Sequence, residues 1–333
     1  MKQNMKQWIA NVIATPKKKA LPVLSFPSIQ LMGITVRDLI SSSDSQAQGM
    51  KLIADRVPSA ASVSLMDLSV EAEAFGSAIR FSDDEVPTVQ GRIVTDETDA
   101  EALAIPAVGT ARTGIYVDAI AKAVQLITDR PVFGGVIGPY SLAGRLLDVS
   151  EAMVLCYDEP DMVHTVLEKT TQFLIDYINA YKAVGANGIV MAEPLTGMLS
   201  PALAEEFSAP YVRRIVESVQ SDDFIVIYHN CGNNVLLMSN SIVSTGAAAF
   251  HFGNAIDLSK MLPLIPPDRL VLGNVDPAGQ ICHGTPESVK AATRAVLEAC
   301  SHAPNFMISS GCDIPPISPW ENIDAFFAAV SEF

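Results

Sequence analysis

Short runs rich in valine, isoleucine and phenylalanine recur along this 333-residue chain, and most are separated by segments of helical period. The runs are residues 23–26, 61–66, 132–137, 188–192, 224–228, 248–252, 270–273 and 306–309, with Gly, Pro or Asp at the changeovers. Apolar runs of four to six residues bounded by such turn residues read as buried strands. Helical periodicity falls at 38–56, 115–128, 160–184, 201–220, 285–300 and 319–330, and several of these segments open on proline, which the first helical turn tolerates. This alternation of strands and helices predicts an α/β protein, and eight strands suit a closed (β/α)8 TIM barrel of one domain. A doubly wound open sheet would alternate similarly, but no glycine-rich phosphate-binding turn follows the first run. Residues 1–20 read as an N-terminal helix or extension. The stretch 71–114, rich in Asp, Glu, Gly and Pro, reads as an insertion after the second strand, a lid beside the barrel mouth.

Composition narrows the function. With 49% hydrophobic and 18% charged residues the chain has ample material for a core and does not resemble a disordered protein. A net charge of −15 opposes binding to nucleic acid or to anionic membrane. No segment approaches the roughly 18 apolar residues of a membrane span, and the first 22 residues hold no signal-like apolar run, so a cytoplasmic protein is expected. Five irregularly spaced cysteines do not describe a disulfide framework, which leaves reduced thiols for chemistry. No oligomeric state can be read from these features.

Barrel enzymes carry their chemistry where strands end. The residues there include Ser28, Asp67, Tyr140, Glu193, His229, Cys231, His251, Asn274, Asp276 and Cys312. His229 and Cys231 are two apart at a strand end, so in extended backbone both side chains point the same way. Cys312 follows the last strand, and the curvature of a barrel would bring it over the same axis. One imidazole and two thiolates form a borderline-soft set that favours Zn2+ over magnesium or calcium, and three protein ligands leave one position for water or substrate. His-x-Cys is a weak motif alone, since a strand-end histidine is commonly a hydrogen-bonded structural residue and cysteine a small buried hydrophobe. That bland account covers Cys156, Cys282 and Cys300.

The order His229–Gly232, then Gly273–Pro277, then Ser310–Pro316 with Pro319–Asn322 following, resembles the uroporphyrinogen decarboxylase superfamily. It is more similar to the corrinoid-dependent methyltransferase branch, whose best-known members are methylcobamide:coenzyme M methyltransferases. Glu71–Gly76 and Gly138–Gly144 add to the likeness, which spans most of the chain from the second strand onward. The resemblance implies a (β/α)8 barrel in which His229, Cys231 and Cys312 bind zinc, and in which zinc makes a thiol nucleophilic. The thiol would attack the methyl group of a methylcobamide, the methyl donor, carried on a separate corrinoid protein. Coenzyme M, another small thiol or a pterin such as tetrahydrofolate would be the acceptor.

Two other functions compete. A tetrapyrrole decarboxylase of the same superfamily needs arginines for its carboxylates, and that branch carries an Arg-rich motif after the first strand; here no arginine occurs between Val23 and Arg37. A non-catalytic corrinoid- or metal-binding protein is the other. Among further strand-end residues, Glu193 either completes the zinc shell or accepts a hydrogen bond beside it. Asp67 and Glu73 either position substrate or bind backbone amides, as helix caps do. Asn274 and Asp276 belong to a turn-forming Asn-Val-Asp-Pro sequence, Tyr140 is placed to line the pocket, and His251 is a pocket wall or a core residue. Arg37, Arg80, Arg92, Arg112 and Arg145 fall in loops or helix starts, and none is assignable to an acidic group on the acceptor.

Overall fold

A computed structural model describes residues 3–333. Nine strands are found among them: β1 (Ser62–Val63), β2 (Ala78–Arg80), β3 (Thr88–Gln90), β4 (Val132–Ile137), β5 (Gly188–Ala192), β6 (Ile225–Asn230), β7 (Ala249–Phe252), β8 (Leu270–Val275) and β9 (Phe306–Ser310). Seven form one parallel sheet in the order β1-β4-β5-β6-β7-β8-β9, while β2 and β3 pair antiparallel as a separate hairpin. The sheet is curled, and both its edges reach residue 20: Ala20 bridges Ile308 of β9, and its carbonyl accepts from the Ala60 amide just before β1 at 2.8 Å.

Period-two alternation explains how the strands fill the curl. Ile225 and Ile227 of β6, Val190 and Ala192 of β5, Leu270 and Leu272 of β8, and Met307 of β9 belong to one apolar cluster. Their neighbours Val226, Tyr228, Ile189, Met191, Val271 and Ile308 belong to the other, packed against the surrounding helices. The N-terminal helix Met5–Ala14 puts Met5, Trp8, Ile9 and Val12 into the first cluster, with the Trp8 ring edge-on to Phe133 at 6.1 Å. The inner face therefore ends, at the carboxyl ends of β6, β7 and β9, on His229, His251 and Ser309.

The expected first strand over 23–26 is not formed. Pro22 has no N–H to offer an edge, and beyond it side chains replace the ladder: the Val23 amide donates to Ser310 Oγ at 3.0 Å and Ser309 Oγ donates to the Leu21 carbonyl at 2.7 Å. The second run keeps only Ser62–Val63 as regular strand. The other six match closely, with β6 and β8 each running two residues further than expected. Two expected helices are each two. Residues 38–56 divide into Val36–Ile40 and Ser43–Arg56 because Ser42 turns extended and caps the Ser45 amide at 3.2 Å. Residues 201–220 divide at Ser208, where Pro210 cannot donate back along the helix. The 71–114 stretch holds the β2–β3 hairpin and a helix, Glu97–Ala102. Lys169 of the long helix Pro160–Ala183 clamps that helix through the Ala100 and Glu101 carbonyls at 2.7 and 2.6 Å. Among the described residues no helix is long and apolar enough to cross a membrane.

Candidate functional site

Three of the sequence-selected residues meet at the ends of β6, β7 and β9. His229, on β6, lies 3.6 Å through Nε2 from the Cys312 sulfur and 2.6 Å through Nδ1 from Nδ1 of His251 on β7. His251 continues through Nε2 to Ser309 Oγ at 2.8 Å. Both histidines are buried, at 3% and 1% exposure, whereas Cys231 and Cys312 are half-buried. Cys156, Cys282 and Cys300 are fully buried elsewhere, in keeping with the core role expected of them.

The Cys231 turn depends on close backbone approach. Gly232 has φ +122°, a conformation open to glycine and strained for other residues, and a Cβ added to Gly197 would lie 1.7 Å from the Cys231 carbonyl oxygen. Because the clash is with backbone, the turn itself must move to relieve it. Gly197→Ala is expected to cost about 1–3 kcal/mol, as overpacking typically does. Urea unfolding of the variant beside the parent chain measures it.

The two thiols are coupled. Contact with Cys312 lowers the pKa of Cys231, and the same contact, reinforced by burial, pushes Cys312 up to about 12. Cys231 thus gives up its proton first, and its charge makes the second deprotonation harder. Burial, then the neighbouring His229, holds His251 well below the ordinary histidine range. Asp313, next to Cys312, is held well above the carboxylate range, first by burial, and its buried Oδ1 has no hydrogen-bond partner among the described residues.

The donor set can be tested against zinc. With Zn–S of about 2.3 Å and Zn–N of about 2.0–2.1 Å, a tetrahedral angle separates sulfur and nitrogen by about 3.6 Å. The Cys312–His229 separation is 3.6 Å. These two residues therefore fit a shared zinc ion, although no three His, Cys, Asp or Glu side chains are gathered as a ready metal cluster among the described residues.

The other candidates are placed differently. Glu193 lies one residue past β5, and both its oxygens are engaged away from the thiols, Oε1 by the Ser141 amide at 3.2 Å and Oε2 by the Thr196 hydroxyl at 2.5 Å. Burial raises it to about 7 against those hydrogen bonds. Asp67 and Glu73 are held by Arg112, which ion-pairs with Asp67 through Nη1 and with Glu73 through Nε at 2.6 Å. Tyr116 and the Ser69 amide complete the Asp67 shell at 2.7 and 3.1 Å. Tyr140 is buried in the outer core with its hydroxyl 3.7 Å from Cys156. Asn274 braces the loop after β7 by donating to the Gly253 and Ile256 carbonyls at 3.0 and 2.9 Å. Asp276 caps the wide helical turn Pro277–Cys282 through the Ala278 and Gly279 amides, both at 3.0 Å, so the turn-forming account describes Asp276, whereas Asn274 lies within β8.

Sequence reasoning gave no role to Ser309, Asp313, Arg112 or Glu71. Alternation along β9 puts Ser309 on the same face as Met307, the one signal that was present. Glu71 is fully buried, its Oε1 accepting from the Ile137 amide at 3.0 Å and its Oε2 without a partner among the described residues. Burial raises its pKa from 4.5 to about 7. Between these values the folded chain keeps a proton that the unfolded chain has lost, so this group favours folding fully below pH 4.5 and loses that contribution as pH rises through 7. Glu71→Gln is expected to remove roughly 3 kcal/mol of the stability lost between pH 5 and pH 8. Urea midpoints at those two pH values read it; an unchanged pH dependence would contradict it.

Comparison with known proteins places the chain in a family. The family model for uroporphyrinogen decarboxylase (URO-D) matches residues 22–333. A methylcobamide:CoM methyltransferase MtbA from Methanosarcina mazei is 28% identical over 267 residues, covering 77% of this chain and 75% of that protein. A uroporphyrinogen decarboxylase from Methylobacillus flagellatus is 27% identical over 304 residues, covering 88% and 84%. Among solved structures, a methyltransferase from Methanosarcina mazei superimposes with a TM-score of 0.88 at 23% identity over 99% of each chain. A B12-independent methionine synthase from a Shewanella species superimposes with a TM-score of 0.62 at 12% identity, covering 95% and 94%. With the family model spanning nearly the whole chain and the structural match extending end to end, this chain belongs to the uroporphyrinogen decarboxylase (URO-D) family.

Proposed function

We propose that this chain is a corrinoid-dependent methyltransferase that passes a methyl group from a methylcobamide to a thiol. The observation that carries it is the 3.6 Å approach of His229 Nε2 and Cys312 Sγ, a spacing suited to zinc, with Cys231 in contact with the second thiol. His229, Cys231 and Cys312 would hold the ion. When bound, zinc supplies the positive charge that lowers the pKa of a coordinated thiol from about 8.5 into the neutral range. The partners of Glu193 favour a role as hydrogen-bond acceptor beside the site over that of a fourth ligand.

The methyl donor would arrive on a corrinoid protein. Met198, Leu237 and Ile317 are 54%, 70% and 59% exposed on the segments after β5, β6 and β9, and they would offer that protein an apolar rim. We further propose that residues 19–23 close the barrel in place of an eighth strand and that the β2–β3 stretch borders the mouth. Coenzyme M, named for one relative, is the leading acceptor, with other thiols and pterins behind it.

The decarboxylase alternative is kept alive by relatives of that name. Against it, residues 23–36 contain no arginine, and Arg37 is exposed and paired with Asp83 at 3.1 Å. Incubating the chain with methylcobalamin and a panel of thiols and pterins tests the proposal. Thiol-dependent loss of the methyl–cobalt spectrum is expected, and conversion of uroporphyrinogen to coproporphyrinogen without demethylation would replace the proposal by the alternative.

A further inference from the structure

We infer that Ser309 and His251 form a relay that fixes the proton of His229 on Nδ1 and so leaves Nε2 free to act as a ligand beside Cys312. The chain of deduction starts at the Leu21 carbonyl, which can only accept. Ser309 Oγ lies 2.7 Å from it and has one proton, so that proton is given to Leu21. Toward His251 the serine oxygen can then only accept, and the contact of 2.8 Å requires a proton on His251 Nε2. A neutral imidazole protonated at Nε2 presents a lone pair at Nδ1. The 2.6 Å contact to Nδ1 of His229 therefore needs the proton on His229. A neutral His229 carrying its proton there has a lone pair on Nε2, the nitrogen that faces Cys312.

Two other assignments satisfy all three contacts, and each makes one ring a cation: a second proton on His251 with His229 reversed, or a second proton on His229 at Nε2. His229 is 3% exposed, with its ring nitrogens facing His251 and Cys312. His251 is only 1% exposed, and its two ring nitrogens face His229 and Ser309, with no carboxylate bonded to either. An unpaired cation so buried is strongly disfavoured. His251 is thus a positioning residue, acting on a metal only through His229. Outer groups that orient a ligating histidine generally change metal affinity 10- to 100-fold.

The metal consequence rests on the proposed function, whereas the proton order is a property of the chain alone. Side-chain nitrogen NMR of the purified full chain near pH 7.5 is expected to show His229 protonated at Nδ1 and His251 at Nε2. A His229 protonated at Nε2, or a doubly protonated His251, would overturn the relay. His251→Gln offers an oxygen to His229 and an amide N–H to Ser309, while His251→Leu offers neither. Chelator competition should find zinc affinity within about threefold of the parent for His251→Gln and about 10- to 100-fold weaker for His251→Leu. Equal losses in both variants, or none in either, would also overturn it. A parent chain that binds no zinc would remove the metal reading, and the NMR assignment would still decide the relay.

Discussion

Replacing Cys312 with serine is expected to lower thiol-dependent demethylation of methylcobalamin by more than about 100-fold, beyond the 10- to 100-fold typical of groups that merely orient a ligand. Cys312 sits just past β9 with its sulfur against His229 and Cys231. Serine preserves the shape of that turn but not the chemistry, because an alcohol stays protonated where a thiol becomes the soft anion that zinc prefers. The fold should survive, since Cys312 is half-buried and the change removes little volume. Cys231→Ser should behave alike. Cys282→Ser, made at a buried cysteine away from the site, should leave the demethylation rate within a factor of about two of the parent, as a core substitution that leaves the first ligands in place should. Circular dichroism beside the spectroscopic assay separates loss of chemistry from loss of structure. A Cys312→Ser chain of parental activity would contradict the assignment.

Arg112→Met carries the largest expected effect on stability, a loss of about 3–5 kcal/mol, the usual consequence of removing one partner from a buried ion pair. Its side chain is 8% exposed and holds Asp67, which is fully buried, together with Glu73. Without the guanidinium, buried Asp67 is left with only the hydrogen bonds from Tyr116 and Ser69. Urea unfolding measures the loss, and a change below about 1 kcal/mol would show that the network is not structural. The same variant distinguishes the two roles considered for Asp67 and Glu73. If they brace the β1 end, KM for the acceptor stays near the parental value in the folded fraction; if they bind the acceptor, KM rises.

Much of the architecture was legible because buried parallel strands are written as continuous apolar runs, and six of the eight were placed to within two residues. The first run failed at a proline and at two serines whose hydroxyls stand in for backbone partners, features that apolar content does not register. The helix breaks at Ser42 and Ser208 were likewise overridden by periodicity on either side. In the site, the His229–Cys312 meeting follows from strand-end position. The Arg112 network does not, because it joins residues 39 and 45 positions apart across a stretch without regular period. Ser309 was hidden for a different reason: a serine closing an apolar strand becomes informative only when the sheet brings His251, itself paired with His229, against it.

Zinc content, measured by elemental analysis on chain purified under reducing conditions, bears most directly on the central claim. About one zinc per chain is expected, retained through dialysis and lost in Cys231→Ser and Cys312→Ser. A metal-free chain that still demethylates methylcobalamin with a thiol would contradict it.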